Sequence, residues 1–404
     1  MKNLFLFSGR HRIDELGATF IVMKNLFLHQ TKQISKTIFS IGTIPNKDIS
    51  ATNVNQNDVI QKYLKKNLLH RVILKILNIL SSNISFITYF NTAIYYKMGA
   101  TLDEIVSKKL DNNNNGQSVI VGFSGSSILV GRKAQRLGYK YVIHSQWCHP
   151  NVQHKLISQG YKQINQKPPQ TNKKQIQQQL DEYELSDLIW CPSKFVQKSL
   201  LENNIPRDKT FVSYLGIDLN RFLVKKRIDK NNFQILFVGT VCIQKGIHVL
   251  LNALSIAEIE NVQVILNGKS DKRTNIFIKK YSQKLLKKKI QIILSPGDPR
   301  RYLSSASIFI LPSVHDAFGI VVLEAMASSL PIIISDKTGA CEIIQDGSNG
   351  FIFESGNVIK LAKKIEFFFN NQEAIIQFGK SSLKLVQDFE IKNQSKKLQK
   401  KLFN

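Results

Sequence analysis

Short apolar runs recur along almost the whole chain, each followed by a longer stretch with helical period. "QSVIVGF", "YKYVIHSQWCH", "QILFVG", "VQVILNG", "IQIILS", "IFILP" and "PIIIS" read as strands. Between them, "ILVGRKAQRLG", "KGIHVLLNALSIAE" and "IFIKKYSQKLLKK" read as helices. Strands that alternate with helices predict parallel sheets covered on both faces, because a parallel crossover needs a helix to return the chain. A chain of 404 residues exceeds what one core usually organises. The pattern resets around "VSYLGIDLNRF" (212–222) and restarts at "FQILFVGT", so two doubly wound units are expected, residues 1–213 and 214–388.

In the first unit "NLFLFS" reads as a strand and "GRHRIDELGA" as a loop ending near Gly17. A helix through "TFIVMKNLFLHQ" and a strand "TIFSIGTI" follow, and "DNNNNGQ" (111–117) is a linker. The hexamer "MKNLFL" occurs at 1–6 and again at 23–28, which makes no repeat architecture and leaves Met1 or Met23 as the start residue. "SGSS" is a turn of small residues, and Gly138 stands where a helix C′ glycine is expected. The run "YKYVIHSQWCH" predicts a strand that delivers His144 and His149 near its C-terminal end, the edge where open α/β sheets bind ligands.

Charge narrows the partners only a little. The formal net charge is +27, from 56 Lys+Arg against 29 Asp+Glu. Such an excess suits anionic partners, yet Lys is spread beside Asn and Ile along the chain and reads equally as diffuse bias on solvated faces. No RNA-binding aromatic signature or zinc-finger spacing accompanies it, so nucleic acid is not an expected partner. The four cysteines lie far apart with no CxxC pair, which fits a reducing compartment and no metal site. The start "MKNLFLFSGRHR" is too short for a signal core, and the apolar stretch from His70 is broken by Lys75 and Asn78. A cytoplasmic protein is the expectation, with peripheral contact to an anionic membrane left open.

Chemistry concentrates in "HDAFGIVVLEAMASSLP" (315–331). A strand precedes it, and "FGIVVLEAMA" starts a helix with Gly319 close to its first turn. Unpaired amides and a partial positive charge make a helix start a seat for phosphate, and glycine permits close approach. Asp316 stands at the mouth, and Glu324 follows eight positions later along the wall. Carboxylates accept hydrogen bonds from vicinal hydroxyls, so the layout suits a diphosphate flanked by two sugar rings. The pair reads as well as a surface Glu and a helix-start acid. In "FVGTVCIQKGIHVLL" a second helix begins after Lys245-Gly246, where a point cation could neutralise a leaving diphosphate.

Together with "CPSKFVQKSL…FVSYLGIDLNRF" and "GACEIIQDGSNGFIF", these segments resemble the group 1 (family 4) glycosyltransferases of GT-B fold, strongly from about Glu182 to Phe353. The resemblance implies an α/β, GT-B architecture: two Rossmann-like doubly wound parallel-sheet domains facing a central cleft, acceptor on the first and donor on the second. It also implies that the last helix (389–404) packs back on the first domain. The activity implied is retaining, metal-independent transfer of a hexosyl unit from a UDP- or GDP-sugar to a glycan or lipid-linked saccharide. The nucleotide sugar is a co-substrate, and no separate cofactor is expected. Alternatives are a nucleotide-sugar epimerase of the same fold and a non-catalytic nucleotide-sugar-binding scaffold.

Carried over, the family's Glu-x7-Glu pair becomes Asp316 on the donor sugar and Glu324 on the ribose. Gly319, Ile320 and Val321 supply diphosphate amides, with Phe318 beside them. Lys245 stabilises the leaving phosphate, His149 stands near the reacting carbon, and Gly17 belongs to the first loop facing the donor phosphates. Three residues depart from the pattern: Thr240 stands where the family often has arginine, Asp316 is one methylene shorter than Glu, and Ser329 replaces a glycine.

Overall fold

The structure is a computed structural model that describes residues 2–7, 34–39, 54–57, 103–104, 106–108, 110, 118–223 and 232–403. Gly17, the helix expected through "TFIVMKNLFLHQ" and the linker 111–117 lie outside the described residues.

Two parallel sheets are present. The first runs β3-β2-β1-β4-β5-β6-β7, with β1 Lys2–Phe7, β2 Ile34–Phe39, β3 Val54–Asn57, β4 Ser118–Phe123, β5 Lys140–His144, β6 Leu188–Cys191 and β7 Thr210–Val212. The second runs β10-β9-β8-β11-β12-β13, with β8 Phe233–Val238, β9 Val262–Asn267, β10 Ile290–Leu294, β11 Ile308–Leu311, β12 Ile332–Ser335 and β13 Gly350–Phe353. Each order reverses once, between β1 and β4 and between β8 and β11. At such a reversal adjacent crossovers leave in opposite directions and open a crevice at the carboxyl ends of the strands. Strands β4, β8, β11 and β12 are buried throughout, as both-face coverage requires.

The helices that matter for the site are α1 Ile128–Arg136, α2 Pro150–Lys162, α3 Lys173–Leu185, α4 Lys194–Leu201, α5 Ile247–Ile256, α6 Lys272–Leu286, α7 Arg300–Leu303, α8 Val321–Ala327, α9 Val358–Asn370, α10 Gln372–Leu385 and α11 Ile391–Phe403. The segment before α11 pairs with residue 217, Ile391 donating to the Ile217 carbonyl at 2.9 Å, and Lys140 of β5 donates to the Leu402 carbonyl at 3.0 Å.

Three local readings differ from expectation. The strand expected through "YKYVIHSQWCH" stops at His144, and His149 is instead the N-cap of α2; Pro150 after it suits a first helical turn, where no amide donor is needed. The strand expected as "TIFSIGTI" begins at Ile34. Helix α8 begins at Val321, two residues past Gly319.

The two helix ends near the crevices follow one rule with different residues. After α1, the Gly138 amide donates to Gln135 and the Tyr139 amide to Ala134, with Gly138 at φ 72°. After α8, the Ser329 amide donates to Met326 and the Leu330 amide to Ala325, with Ser329 at φ 56°. Both are Schellman ends, whose C′ residue must be left-handed. Glycine adopts that backbone freely and serine does so at a cost. Ser329→Gly is therefore expected to raise stability by about 0.5–1 kcal/mol in chemical denaturation, the left-handed strain exceeding the entropy added to the unfolded chain. An unchanged or lower midpoint would refute the assignment of strain.

Candidate functional site

The crevice of the second sheet opens where β8 and β11 end, and the chain after each strand carries one charged residue into it. After β8 the chain passes through a 3-10 turn, Ile243–Lys245, closed by Gly246 at φ 74°. A Cβ on Gly246 would stand 1.8 Å from the Pro312 carbonyl oxygen, just after β11, so only glycine allows the two loops this close. That approach is what the "KG" pair encodes. Lys245 Nζ lies 2.6 Å from Asp316 Oδ2, with the two side chains 20% and 15% exposed. Residues separated by 71 positions thus form one ion pair at the switch point.

The loop bearing Asp316 is fixed on both sides. Its amide donates to the Lys337 carbonyl, its carbonyl accepts from Gly339, and the Phe318 carbonyl accepts from Ala340 at 2.7 Å. Gly319 is left-handed at φ 82°, and a Cβ there would meet Leu311 and Thr338 at 2.9 Å. Phe318 is buried against Tyr214, ring centroids 6.1 Å apart. Among the described residues nothing accepts from the amides of Gly319, Ile320 and Val321. Glu324 is 9% exposed, and its carboxylate bonds to no described residue. Burial pushes its pKa up to about 7, with Arg221 and Arg300 opposing that rise and Asp298 adding to it. A carboxylate shut away without a partner is costly unless something arrives to bond it.

The first domain differs at the matching place. The start of α1 is filled by the protein's own acids: Glu182 accepts from the amides of Gly125 and Ser127, and Asp103 from those of Leu129 and Val130 at 2.8 Å. Both are buried, which pushes each to about pH 7. The amides of the "SGSS" turn and the start of α1 are therefore already taken by carboxyl groups of the protein, while those of Gly319, Ile320 and Val321 are not. Neither acid was legible in the sequence, because each lies far along the chain from the amides it meets.

His149 is buried, and its Nδ1 accepts from the Asn151 amide at 3.3 Å while its own amide donates to Ser199 Oγ at 2.9 Å. Burial holds its pKa below the ordinary histidine value. One ring nitrogen is thus committed to capping α2. Thr240 follows Gly239 at the end of β8 and is exposed, its hydroxyl bonding no described residue.

Three residues not read as site residues in the sequence join the two domains around the site. His315 is buried between Trp147 and Phe195, ring centroids 6.0 and 6.3 Å away, and its Nε2 accepts from the Cys148 amide at 3.4 Å. Burial lowers its pKa to about 4, so it is neutral. Ser193 Oγ donates to the Ala317 carbonyl at 2.7 Å. Glu342 accepts from the Lys194 and Phe195 amides, at 3.0 and 2.6 Å, and from Tyr214 Oη at 3.0 Å. The first turn of α4 in one domain is thus capped by a carboxylate of the other. Ser193 of "CPSKF" also caps α4, its Oγ accepting from the Val196 amide at 3.1 Å, but nothing in that segment points to position 342. Glu342→Ala, which orphans two amides, is expected to cost about 1–2 kcal/mol in denaturant melts. A loss below about 0.3 kcal/mol would show that the clasp is energetically idle.

Comparison with known proteins now bears on this geometry. The family model described as glycosyl transferases group 1 matches residues 220–384, which span Lys245, Asp316 and Glu324. That segment is therefore similar to the group 1 glycosyl transferases. An uncharacterized glycosyltransferase of Methanocaldococcus jannaschii is 31% identical to the chain over 207 residues, 50% of the chain and 56% of the relative. The capsular polysaccharide biosynthesis glycosyltransferase CapM of Staphylococcus aureus is 26% identical over 205 residues, 48% of the chain and 54% of the relative. The chain spans about half the length of these curated relatives. Among solved structures, Anabaena HepE in complex with UDP matches with TM-score 0.67 at 16% identity, covering 100% of this chain and 99% of that one. The sucrose-phosphate synthase of Thermosynechococcus elongatus matches with TM-score 0.69 at 16% identity, over 100% and 99%. Residues 220–384 and their partner sheet thus form the two-domain GT-B fold. Among the described residues no helix is long and apolar enough to cross a membrane.

Proposed function

We propose that the protein is a retaining glycosyltransferase that moves a hexosyl unit from a UDP- or GDP-sugar to a glycan or lipid-linked saccharide. One observation carries the reading: at the crevice of the second sheet, a buried unpartnered carboxylate, a run of free amides and a lysine-carboxylate pair stand together. The diphosphate lies on the amides of Gly319, Ile320 and Val321, with Phe318 packed behind them. Ribose hydroxyls donate to Glu324. Lys245 leaves Asp316 and turns to the diphosphate, which gathers charge as the bond to the sugar breaks. Asp316, released, accepts from hydroxyls of the sugar being moved.

Lysine and backbone amides supply the positive charge that a divalent ion supplies elsewhere, so the proposed reaction runs without a metal. Retention of configuration, the role of His149 beside the reacting carbon and that of Gly17 beside the phosphates come from the motif resemblance. HepE, described in complex with UDP, UDP-glucose, and UDP and glucose, favours a uridine nucleotide as the first donor to try.

Thermal shift and donor turnover against UDP, GDP, ADP and their sugars test the reading. A ligand at a hundred times its dissociation constant stabilises the folded state by about 2.7 kcal/mol, well within detection. A matching nucleotide sugar should both stabilise the protein and be slowly hydrolysed. Sugar isomerisation without acceptor would instead identify an epimerase. Binding with no turnover would identify a scaffold, and no stabilisation by any nucleotide would end the proposal.

A further inference from the structure

A cavity of about 410 Å³ lies between the domains, beside the turn that carries Lys245. Gln153 and Ile157 of α2 form one wall, the stretch from Pro169 into α3 another, and Cys242 with Gln244 the third. Gln244 immediately precedes Lys245, and its carbonyl accepts from the Val314 amide at 3.0 Å. Cavity and ion pair therefore share one braced turn.

None of the lining residues is Asp, Glu, Lys or Arg, although those four types make up 21% of the chain. Carboxamides stand in their place, and the side chains of Gln153, Gln170 and Gln244 bond no described residue. A carboxamide both donates and accepts, which matches a hydroxyl that does the same. Ile157 and Tyr161 add an apolar wall suited to the C–H face of a sugar ring. A phosphate or carboxylate entering here would shed its water and meet no Lys or Arg, with the imidazole of His154 the one basic group in the lining.

Resting on the transferase reading, we infer that this cavity holds the acceptor, and that the part it takes is an uncharged saccharide rather than a phosphorylated or acidic one. The carboxamides of Gln153, Gln170 and Gln244 orient its hydroxyls, and the shared turn presents it to the Lys245–Asp316 side of the cleft.

Saturation-transfer NMR on the intact protein with UDP present reads this directly. The probes are methyl glycosides of glucose, galactose, mannose and N-acetylglucosamine, set against methyl glucuronide and glucose 6-phosphate. At least one neutral glycoside should be saturated, and the two anions should show less than a fifth of its signal. Gln153→Glu and Gln170→Glu should each reduce the neutral signal at least fivefold while leaving the melting temperature within a degree or so. Saturation of an anion equal to that of the best glycoside, no saturation of any neutral glycoside, or a signal unmoved by both substitutions would overturn the assignment. Hydrolysis of UDP-glucose and GDP-mannose, followed in parallel, separates the two failures. Absent turnover counts against the transferase, whereas turnover with a signal indifferent to Gln153 and Gln170 counts only against the cavity.

Discussion

Lys245→Ala should lower donor turnover by about two to three orders of magnitude while the protein still folds and still binds nucleotide. Removing one preorganised donor from a developing negative charge typically costs that much, and position 240 carries threonine, an uncharged side chain. The fold should persist because the turn is held by Gly246 against Pro312, a backbone contact the substitution does not touch. Some stability will be lost, since Asp316 is left at 15% exposure without its cation, 2.6 Å away in the native protein. A companion variant, Asp316→Asn, discriminates the roles. It frees the lysine permanently, so nucleotide affinity should be kept or rise while transfer falls through lost contact with the sugar. Turnover is read with the donor that stabilises the protein best, and denaturant melts control for folding. Near-normal turnover in Lys245→Ala would remove the lysine from the mechanism.

Glu324→Gln should separate binding from stability with opposite signs. In the folded protein the carboxyl titrates near pH 7, above the ordinary 4.5, because burial penalises its charge. An acid with a raised folded pKa contributes fully below about pH 4.5, and the contribution fades as pH rises through about 7. The difference corresponds to roughly 3 kcal/mol at alkaline pH. The variant should therefore match the parent near pH 4.5 and exceed it by about 2–3 kcal/mol at pH 8.5. Asp103 and Glu182 titrate in the same range and shape both profiles alike, so the difference between the two proteins isolates position 324. Nucleotide-sugar affinity should fall about tenfold to a hundredfold, the worth of charge-assisted hydrogen bonds from two ribose hydroxyls. In the parent, affinity should rise with pH across 7, because ligand hydroxyls bond the anion, and binding should release a proton. Calorimetric titrations in buffers of different ionisation enthalpy measure that proton. A variant that keeps the parent's pH profile for both stability and binding would show that Glu324 is a structural acid and no ligand contact.

On the proposed function, the asymmetry of the two crevices accounts for how one of two similar domains would become the donor site. Both present a helix start near a sheet reversal, but the α1 amides are taken up internally by Asp103 and Glu182, whereas the turn before α8 keeps its amides unpaired and α8 itself carries the unpartnered Glu324 carboxylate. Composition could not tell the two crevices apart, since the net charge of +27 is spread along the chain. Selectivity comes from which amides remain free, and bulk charge does not report that.

What the sequence by itself determined was everything governed by neighbours along the chain. The alternation of buried runs and amphipathic stretches specified two parallel sheets, because period and burial are local properties. Gly138 marked a helix end through its backbone freedom, and the interval from Asp316 to Glu324 placed both acids on one loop-helix unit. Tertiary structure alone decided who meets whom: Lys245 with Asp316, Glu342 with the first turn of α4, Glu182 with the small-residue turn, and His149 as a cap at the start of α2 rather than the end of a strand. The reason is energetic. A buried charge is tolerable only with a partner, and in an α/β fold that partner arrives on a different crossover, at a distance in sequence that no local pattern records.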